Sequence, residues 1–389
     1  MHLGILTQQG ALVASLPALS TNKLLLIDVN PTKENDPSID HIVRSAIQDI
    51  AVGPDRGRDI SRDAAQKVMH AVLKKQVDEV QVGIFLIALR MKRETLNEFT
   101  GLYSALLSET ESIVSNVQTV VSLADPFDGY LRNVTMTPFI PAVLAANGLH
   151  SVIHGVNSVG PKHGVTANKV YKLAGIDTGL SVERAAKKME SVGFCYVDQS
   201  LYSPSLYALQ DLRHRIVKRS ALTTLERLLI PIRGQSHTRL VLGYVHKAYP
   251  DIYTRLAFEG GFDHVLLLKG VEGGLAPALN KPLRRFVFDG VCPEDVDSNK
   301  SVLDTPFSGS ASCAALPMQQ DQDMVEQCLE RGLEVLKGHS GVARDSLSLA
   351  CAQILTAYDI QLSFNQALEK VNACLDNGAA LERFQAQLQ

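Results

Sequence analysis

The six cysteines, Cys195, Cys292, Cys313, Cys328, Cys351 and Cys374, are scattered and include no Cys-x-x-Cys pair. In a chain of 389 residues that spacing predicts reduced thiols packed like small hydrophobes. No apolar run approaches the roughly 20 residues that a membrane-spanning helix needs. The N-terminus, MHLGILTQQGALVASL, lacks a basic n-region, so the expected location is cytoplasmic, with no membrane partner. Neither sign of charge dominates: 38 Lys and Arg against 41 Asp and Glu leave a net charge of −3, which exerts no global pull on nucleic acid. There is no metal-ligand spacing, serine or cysteine nucleophile arrangement, Walker loop or dinucleotide fingerprint. Internal repeats and low-complexity tracts are absent too.

What is present is the composition of an ordinary globular chain, 46% apolar and 20% charged, long enough for a large core and more than one domain. Residues 1–38 read as an extension, with a short strand at Lys23–Val29 broken by Asn30-Pro31. Residues 39–110 read as a helical domain. Ser61 caps one helix, Asp78 opens a second whose nearly continuous apolar residues predict burial on most sides, and Thr95 with Glu98 forms a capping box. Residues 111–389 read as an α/β domain in which strands alternate with helices, so a mostly parallel sheet covered on both faces is expected. Val117–Ala124 is the first core strand. A helix is expected over Ser203–Val217, an irregular excursion over 289–320, and two closing helices, the second bounded by the Ser363–Gln366 box and Gly378.

The stretch Asp125–Ile176 carries the site. A turn-rich loop, Asp125-Pro126-Phe127-Asp128-Gly129, precedes a helix over Pro138–Asn147 stopped by Gly148. A strand at Ser151–Ile153 then leads into a loop with two His-Gly pairs, His154-Gly155 and His163-Gly164, and a helix starts near Thr166. Both loops lie at a sheet end, where helix N-termini and backbone N–H groups suit an anion. His154 is the candidate general acid, or else only pins the turn. Asp128 and Gly129, with Asp125, either contact ligand or form a simple turn. Lys162 and His163 are candidate phosphate contacts, Thr135 and Thr137 are phosphate or capping hydroxyls, and Glu272 is a ligand or a turn residue. Arg213 to Arg239 holds seven Lys or Arg (Arg213, Arg215, Lys218, Arg219, Arg227, Arg233, Arg239) against Glu226 alone. That is either a phosphate-binding groove or a solvated face.

An all-α bundle leading into such a body resembles the anthranilate phosphoribosyltransferase family, which shares its fold with pyrimidine nucleoside phosphorylases. The likeness is carried by Asp59-Ile60-Ser61 and its helix, VQVGIFLIALRMKRET, the central stretch, SPSLYALQDLRHRI and the closing GHSGVARDSLSLACAQIL. It implies a homodimer joined through the helical domain, with residues 181–215 packing partly on that domain and a site between the domains. It also implies phosphoribosyl pyrophosphate bound by a Gly-Thr-Gly-Gly-Asp loop, a Lys-His-Gly-Asn segment and an Asp-Glu pair holding magnesium. Here Asp125–Gly129 replaces the glycine loop and Ile153 the lysine, His154 and Gly155 are kept, Asn157 is displaced by one position, and Ala276-Pro277 follows where the acidic pair belongs. Arg213 stands at the place of the arginine that approaches the acceptor's carboxylate, and Lys162-His163-Gly164 falls near a Ser-Lys-x-Gly segment. The pattern resembles a divergent branch, some of whose members bind nucleic acid without detectable transfer. The expectation is pentosyl transfer with a degenerate phosphoribosyl pyrophosphate site, magnesium entering only with that ligand and no resident metal or cofactor otherwise. The alternative is a non-catalytic homodimer that binds DNA or RNA through Arg215, Lys218, Arg219, Arg227, Arg233 and Arg239. A third reading is an inactive dimeric scaffold.

Overall fold

A computed structural model describes residues 38–389 apart from 54, 304–314, 321 and 360. The strand expected at Lys23–Val29 lies outside the described residues. The first four helices are α1 (Ile39–Ile50), α2 (Arg62–Leu73), α3 (Glu79–Lys92) and α4 (Leu96–Ser108). Ser61 accepts from the Ala64 amide, Asp78 from the Val80 amide, and Thr95 and Glu98 close a reciprocal box. Each cap satisfies an amide that has no partner inside its helix. The Tyr103 hydroxyl donates to the Leu228 carbonyl at 2.6 Å and ties α4 to the sheet-bearing part of the chain. Helix α3 is only partly buried within one chain. Its apolar surface is too wide for one core, so Val80, Ile84 and Met91 are left 69%, 45% and 62% exposed.

One seven-stranded sheet follows, made of β1 (Thr119–Ala124), β2 (Ser151–Gly155), β3 (Phe194–Asp198), β4 (His237–Tyr244), β5 (His264–Lys269), β6 (Leu283–Asp289) and β7 (Lys300–Leu303). The spatial order is β7-β6-β5-β4-β1-β2-β3. Strands β1 to β5 run parallel, and β6 and β7 form an antiparallel edge. Adjacent residues of β1 feed opposite faces, as period-two geometry requires. Val120 and Ala124 join the core that holds the bundle, together with Val182, Leu206 and Leu212. Val121 and Leu123 join the core built with the closing helices.

Three local expectations are corrected. The helix expected over Ser203–Val217 is two short ones, Pro204–Tyr207 and Gln210–Ile216, and Pro204, which has no amide, separates the first of them from a further short helix at Gln199–Tyr202. Strand β7, the sheet edge, lies inside the stretch expected to be irregular, where it pairs with the arginine-bearing strand β6, whose burial alternates only loosely. Four helices close the chain, not two: Met324–Leu336, Val342–Tyr358, Phe364–Asp376 and Ala379–Gln385. The Ser363–Gln366 box forms, and Gly378, at φ 79°, both ends the third helix and starts the fourth. Cys195, Cys328, Cys351 and Cys374 are buried free thiols and Cys292 is a half-buried one. Among the described residues no helix is long and apolar enough to cross a membrane.

Candidate functional site

Strand order reverses at β1, which has β4 on one side and β2 on the other. Open α/β sheets leave a ligand crevice beyond the carboxyl ends of the strands at such a point. A cavity of about 430 Å³ opens there, floored by Gly243, Tyr244, Gly270 and Gly273 and walled by Asp128, Lys162, Arg219, Arg227 and Glu272, with Arg90 of α3 at its edge.

The loop after β1 shapes one wall. Gly129 has φ 74°, and a Cβ there would lie 2.5 Å from the Val165 carbonyl, so only glycine fits. Phe127 and Tyr130 turn inward and are 2% and 1% exposed. The Tyr130 hydroxyl donates to Asp125 at 2.6 Å. Burial raises the Asp125 pKa to about 6, against the pull of that bond and of the Arg227 charge. Asp128 faces the cavity, but Arg219 binds its Oδ2 twice, at 2.9 and 2.6 Å, and Lys162 Nζ stands 3.6 Å from Oδ1. Asp128 therefore does not present an uncompensated charge to an anion.

Lys162 Nζ donates to the Gly129 carbonyl at 2.7 Å and lies 3.5 Å from Glu272. Glu272, at φ 52°, holds a left-handed backbone that is strained for a non-glycine residue. Its side chain is 2% exposed and accepts from the amides of Leu131 and Arg132 and from Asn133. Burial alone would push its pKa up, but those donors and the Lys162 charge outweigh burial and hold the carboxyl below its ordinary value. Arg227 is 6% exposed. Its Nη2 donates to the carbonyls of Ala124, Gly243 and Gly273, at 2.7, 3.1 and 3.0 Å, which ties β1, β4 and the loop after β5 together. Its Nε has no partner, and among the described residues no carboxylate lies within ion-pairing distance of it. A buried cation without a counter-charge is costly unless something anionic completes it.

The sequence-predicted residues divide into those at this cavity and those elsewhere. Asp128 and Lys162 line it and Gly129 supports Lys162. His154 lies away from this cavity: it is 2% exposed, bonded to the Tyr202 hydroxyl at 2.8 Å and placed 3.4 Å from Ser122. Burial, reinforced by the Arg227 charge, lowers its pKa to about 3, so at neutral pH the ring is uncharged. Gly155 sits beside it, behind Phe127. Thr135 and Thr137 are buried and bond each other at 3.1 Å, with Thr137 also meeting Tyr130, so they brace the loop and contact no solvent-borne phosphate. Asn157 lines a separate open depression with Asp198 and Tyr207. His163 is exposed and pairs with Ser158 and His214, at 3.0 and 3.1 Å.

Arg213 also lies outside the cavity lining: it is 4% exposed and spends both terminal nitrogens on Glu226, at 2.6 and 2.7 Å. The basic stretch is not one face. Arg215 pairs with Glu79 and Asp211, Arg233 donates to the Gly260 carbonyl, and Arg239 stacks on Tyr358. Arg219 and Arg227, expected only in the nucleic-acid set, are cavity residues. Sequence reasoning passed over Arg90, Arg132, His246 and Tyr249. Arg132 lay inside the central stretch and could have been found there, whereas nothing local marks Arg90.

A magnesium ion does not fit the donors at this cavity. It needs free, hard oxygens, yet the Asp128 and Glu272 oxygens are already engaged by cations and amides, and Ala276 and Pro277 supply none. Among the described residues no cluster of three His, Cys, Asp or Glu could hold a metal.

Comparison with known proteins agrees with this architecture. Residues 44–109 match the helical bundle domain of a glycosyl transferase family, and residues 128–381 match that family's a/b domain. The chain is 25% identical to the uncharacterized protein YbiB of Escherichia coli (strain K12), over 85% of this chain and 98% of that one. It is 24% identical to the anthranilate phosphoribosyltransferase of Legionella pneumophila (strain Lens), over 83% and 90%. The anthranilate phosphoribosyltransferase of Saccharomyces cerevisiae in complex with PRPP and Mg superposes with a TM-score of 0.70 at 14% identity, covering 89% of this chain and 96% of that one. With the a/b model spanning well over half of its length and the bundle preceding it, the chain belongs to this glycosyl transferase family.

Proposed function

We propose that the chain is a glycosyltransferase-type protein that binds a phosphorylated pentose, phosphoribosyl pyrophosphate or a nucleotide-like ligand, in the cationic cavity and transfers its pentosyl group. The observation that carries this reading is Arg227, buried on the cavity wall with Nε unpartnered and, among the described residues, no carboxylate within ion-pairing distance. Arg227, Arg219 and Lys162 hold the phosphates. The Asp128 and Glu272 carboxylates face the positive charge that develops on the ribose as the bond to the leaving group breaks. Catalysis is then positioning and charge stabilisation, with no protein acid or nucleophile. With Arg213 committed to Glu226, an aromatic acid is not the acceptor, so the protein does not carry out the standard anthranilate reaction.

Isothermal titration with phosphoribosyl pyrophosphate, followed by a transfer assay over a panel of acceptors, tests the reading. Saturable binding is expected, and absence of binding at millimolar ligand would sink it. The alternative, a nucleic-acid-binding protein, is favoured by one feature: Arg215, Lys218 and Arg219 are exposed close together in sequence beside the cavity. Salt-sensitive binding of single-stranded DNA, abolished by Arg215→Ala with Lys218→Ala, would select that alternative.

A further inference from the structure

Two observations at the cavity point the same way. Its carboxylates are already covered: Arg219 and Lys162 engage Asp128, while Glu272 accepts from Leu131, Arg132 and Asn133. Its cations are in excess, with Arg90, Arg132, Lys162, Arg219 and Arg227 lining a space that holds only those two acids. We propose that the cavity binds phosphate or diphosphate esters as metal-free anions, with arginine and lysine side chains standing in for the divalent ion. The inference rests on the same cavity being the ligand site and adds what neutralises the ligand there.

The physical reasoning is a matter of charge. A diphosphate complexed by a divalent cation has lost two of its negative charges, and the cation's remaining coordination sites seek oxygens that this wall does not offer. The uncomplexed anion keeps full charge for guanidinium groups that bind it through directed hydrogen bonds. Arg227 contributes from a buried position, where screening by salt is weakest. Arg219 and Lys162, both already on Asp128, turn part of their donor capacity to the ligand without leaving that carboxylate unpaired.

Titration calorimetry with phosphoribosyl pyrophosphate and, separately, with inorganic pyrophosphate, each in EDTA and in millimolar magnesium, tests the proposal on the full chain. Equal or tighter binding in EDTA is expected for both. Arg227→Gln and Arg219→Gln are each expected to weaken it about tenfold or more, the scale of one lost charge-assisted contact. The second variant alters a side chain that is 42% exposed and so guards against misfolding of the first. Binding that requires magnesium would overturn this proposal and leave the functional reading intact. Pyrophosphate binding in EDTA without phosphoribosyl pyrophosphate binding would support the proposal and remove that donor. No binding of either under any condition would overturn both, and full affinity in folded Arg219→Gln and Arg227→Gln would overturn the assignment of residues.

Discussion

Arg213 is where a sequence reading and a structural reading make opposite predictions. Read from sequence it touches an acceptor, whereas in the fold it is the buried half of an ion pair with Glu226. The two nitrogen–oxygen distances are 2.6 and 2.7 Å, and the side chains are 4% and 0% exposed. Replacing Arg213 by Met leaves Glu226 buried with Gln199 Nε2, 3.4 Å away, as its remaining donor. Breaking a buried pair from one side costs about 3–5 kcal/mol, because the surviving charge is stranded away from water. Replacing both partners by Met removes both charges and fills a similar volume, so the double variant recovers most of the loss.

Urea unfolding followed by circular dichroism on wild type, the two single variants and the double variant closes the cycle. A coupling of several kcal/mol is expected between the pair. Phosphate-ligand affinity, measured where each variant is fully folded, is expected to change little. The reasoning fails if Arg213→Met costs less than about 1 kcal/mol, the range of an unremarkable substitution, and ligand affinity collapses instead.

Lys162→Met is expected to weaken phosphate-ligand binding by about tenfold or more, one charge-assisted contact, while Arg219 still holds Asp128; calorimetry reads this directly. Stability between pH 6.5 and 4, followed by urea unfolding at stepped pH, is expected to fall. Native His154 and His264, whose pKa values burial lowers from 6.5 to about 3 and about 4, stay neutral while the unfolded chain takes up protons. Asp125, raised from 3.8 to about 6, offsets one of these two, since it contributes stability below 3.8 that is lost as pH rises through 6. The net slope from these three groups is about 1.4 kcal/mol per pH unit below pH 6, and Asp125→Asn steepens it. The exposed stripe of Val80, Ile84 and Met91 on α3 is proposed as the homodimer contact. Ile84→Glu is then expected to convert a dimer to a monomer in sedimentation velocity, and an unchanged mass would refute that contact.

How far the sequence could be read depended on whether the signal was local. Caps at Ser61, Thr95 and Ser363 and stops at Gly148 and Gly378 satisfy or release amides within one turn, and each is where the residue types say it should be. Strands β1, β4 and β5 are continuous apolar runs because both of their faces are covered. Strand β6 was missed because Arg284 and Arg285 interrupt Leu283, Phe286 and Phe288, breaking the apolar run that marks the parallel strands. Pro204 was visible, yet the short helix it starts was read as a single run with Gln210–Ile216, since helical periodicity persists across the break, and Gln199–Tyr202 was not read as a helix.

The site was less legible, because its chemistry is set by pairings between distant segments. Asp128 meets Arg219 across 91 residues and Lys162 across 34, and Glu272 meets the Leu131 amide across 141. Charge alone did not distinguish Arg213, Arg219 and Arg227: within fifteen residues of one another, one neutralises Glu226, one clamps Asp128, and one ties β1, β4 and the loop after β5 together with its Nε unpartnered. A glycine loop announces a phosphate site in sequence because the backbone itself does the binding. Where side chains take over that task, as proposed for this cavity, the signal disperses over the whole chain and only the fold gathers it. That is also why His154-Gly155, a conspicuous pair in the sequence, is a poor guide. Tyr202 and Ser122 use the imidazole to pin β2, while the lysine seven residues after Gly155 reaches the cavity.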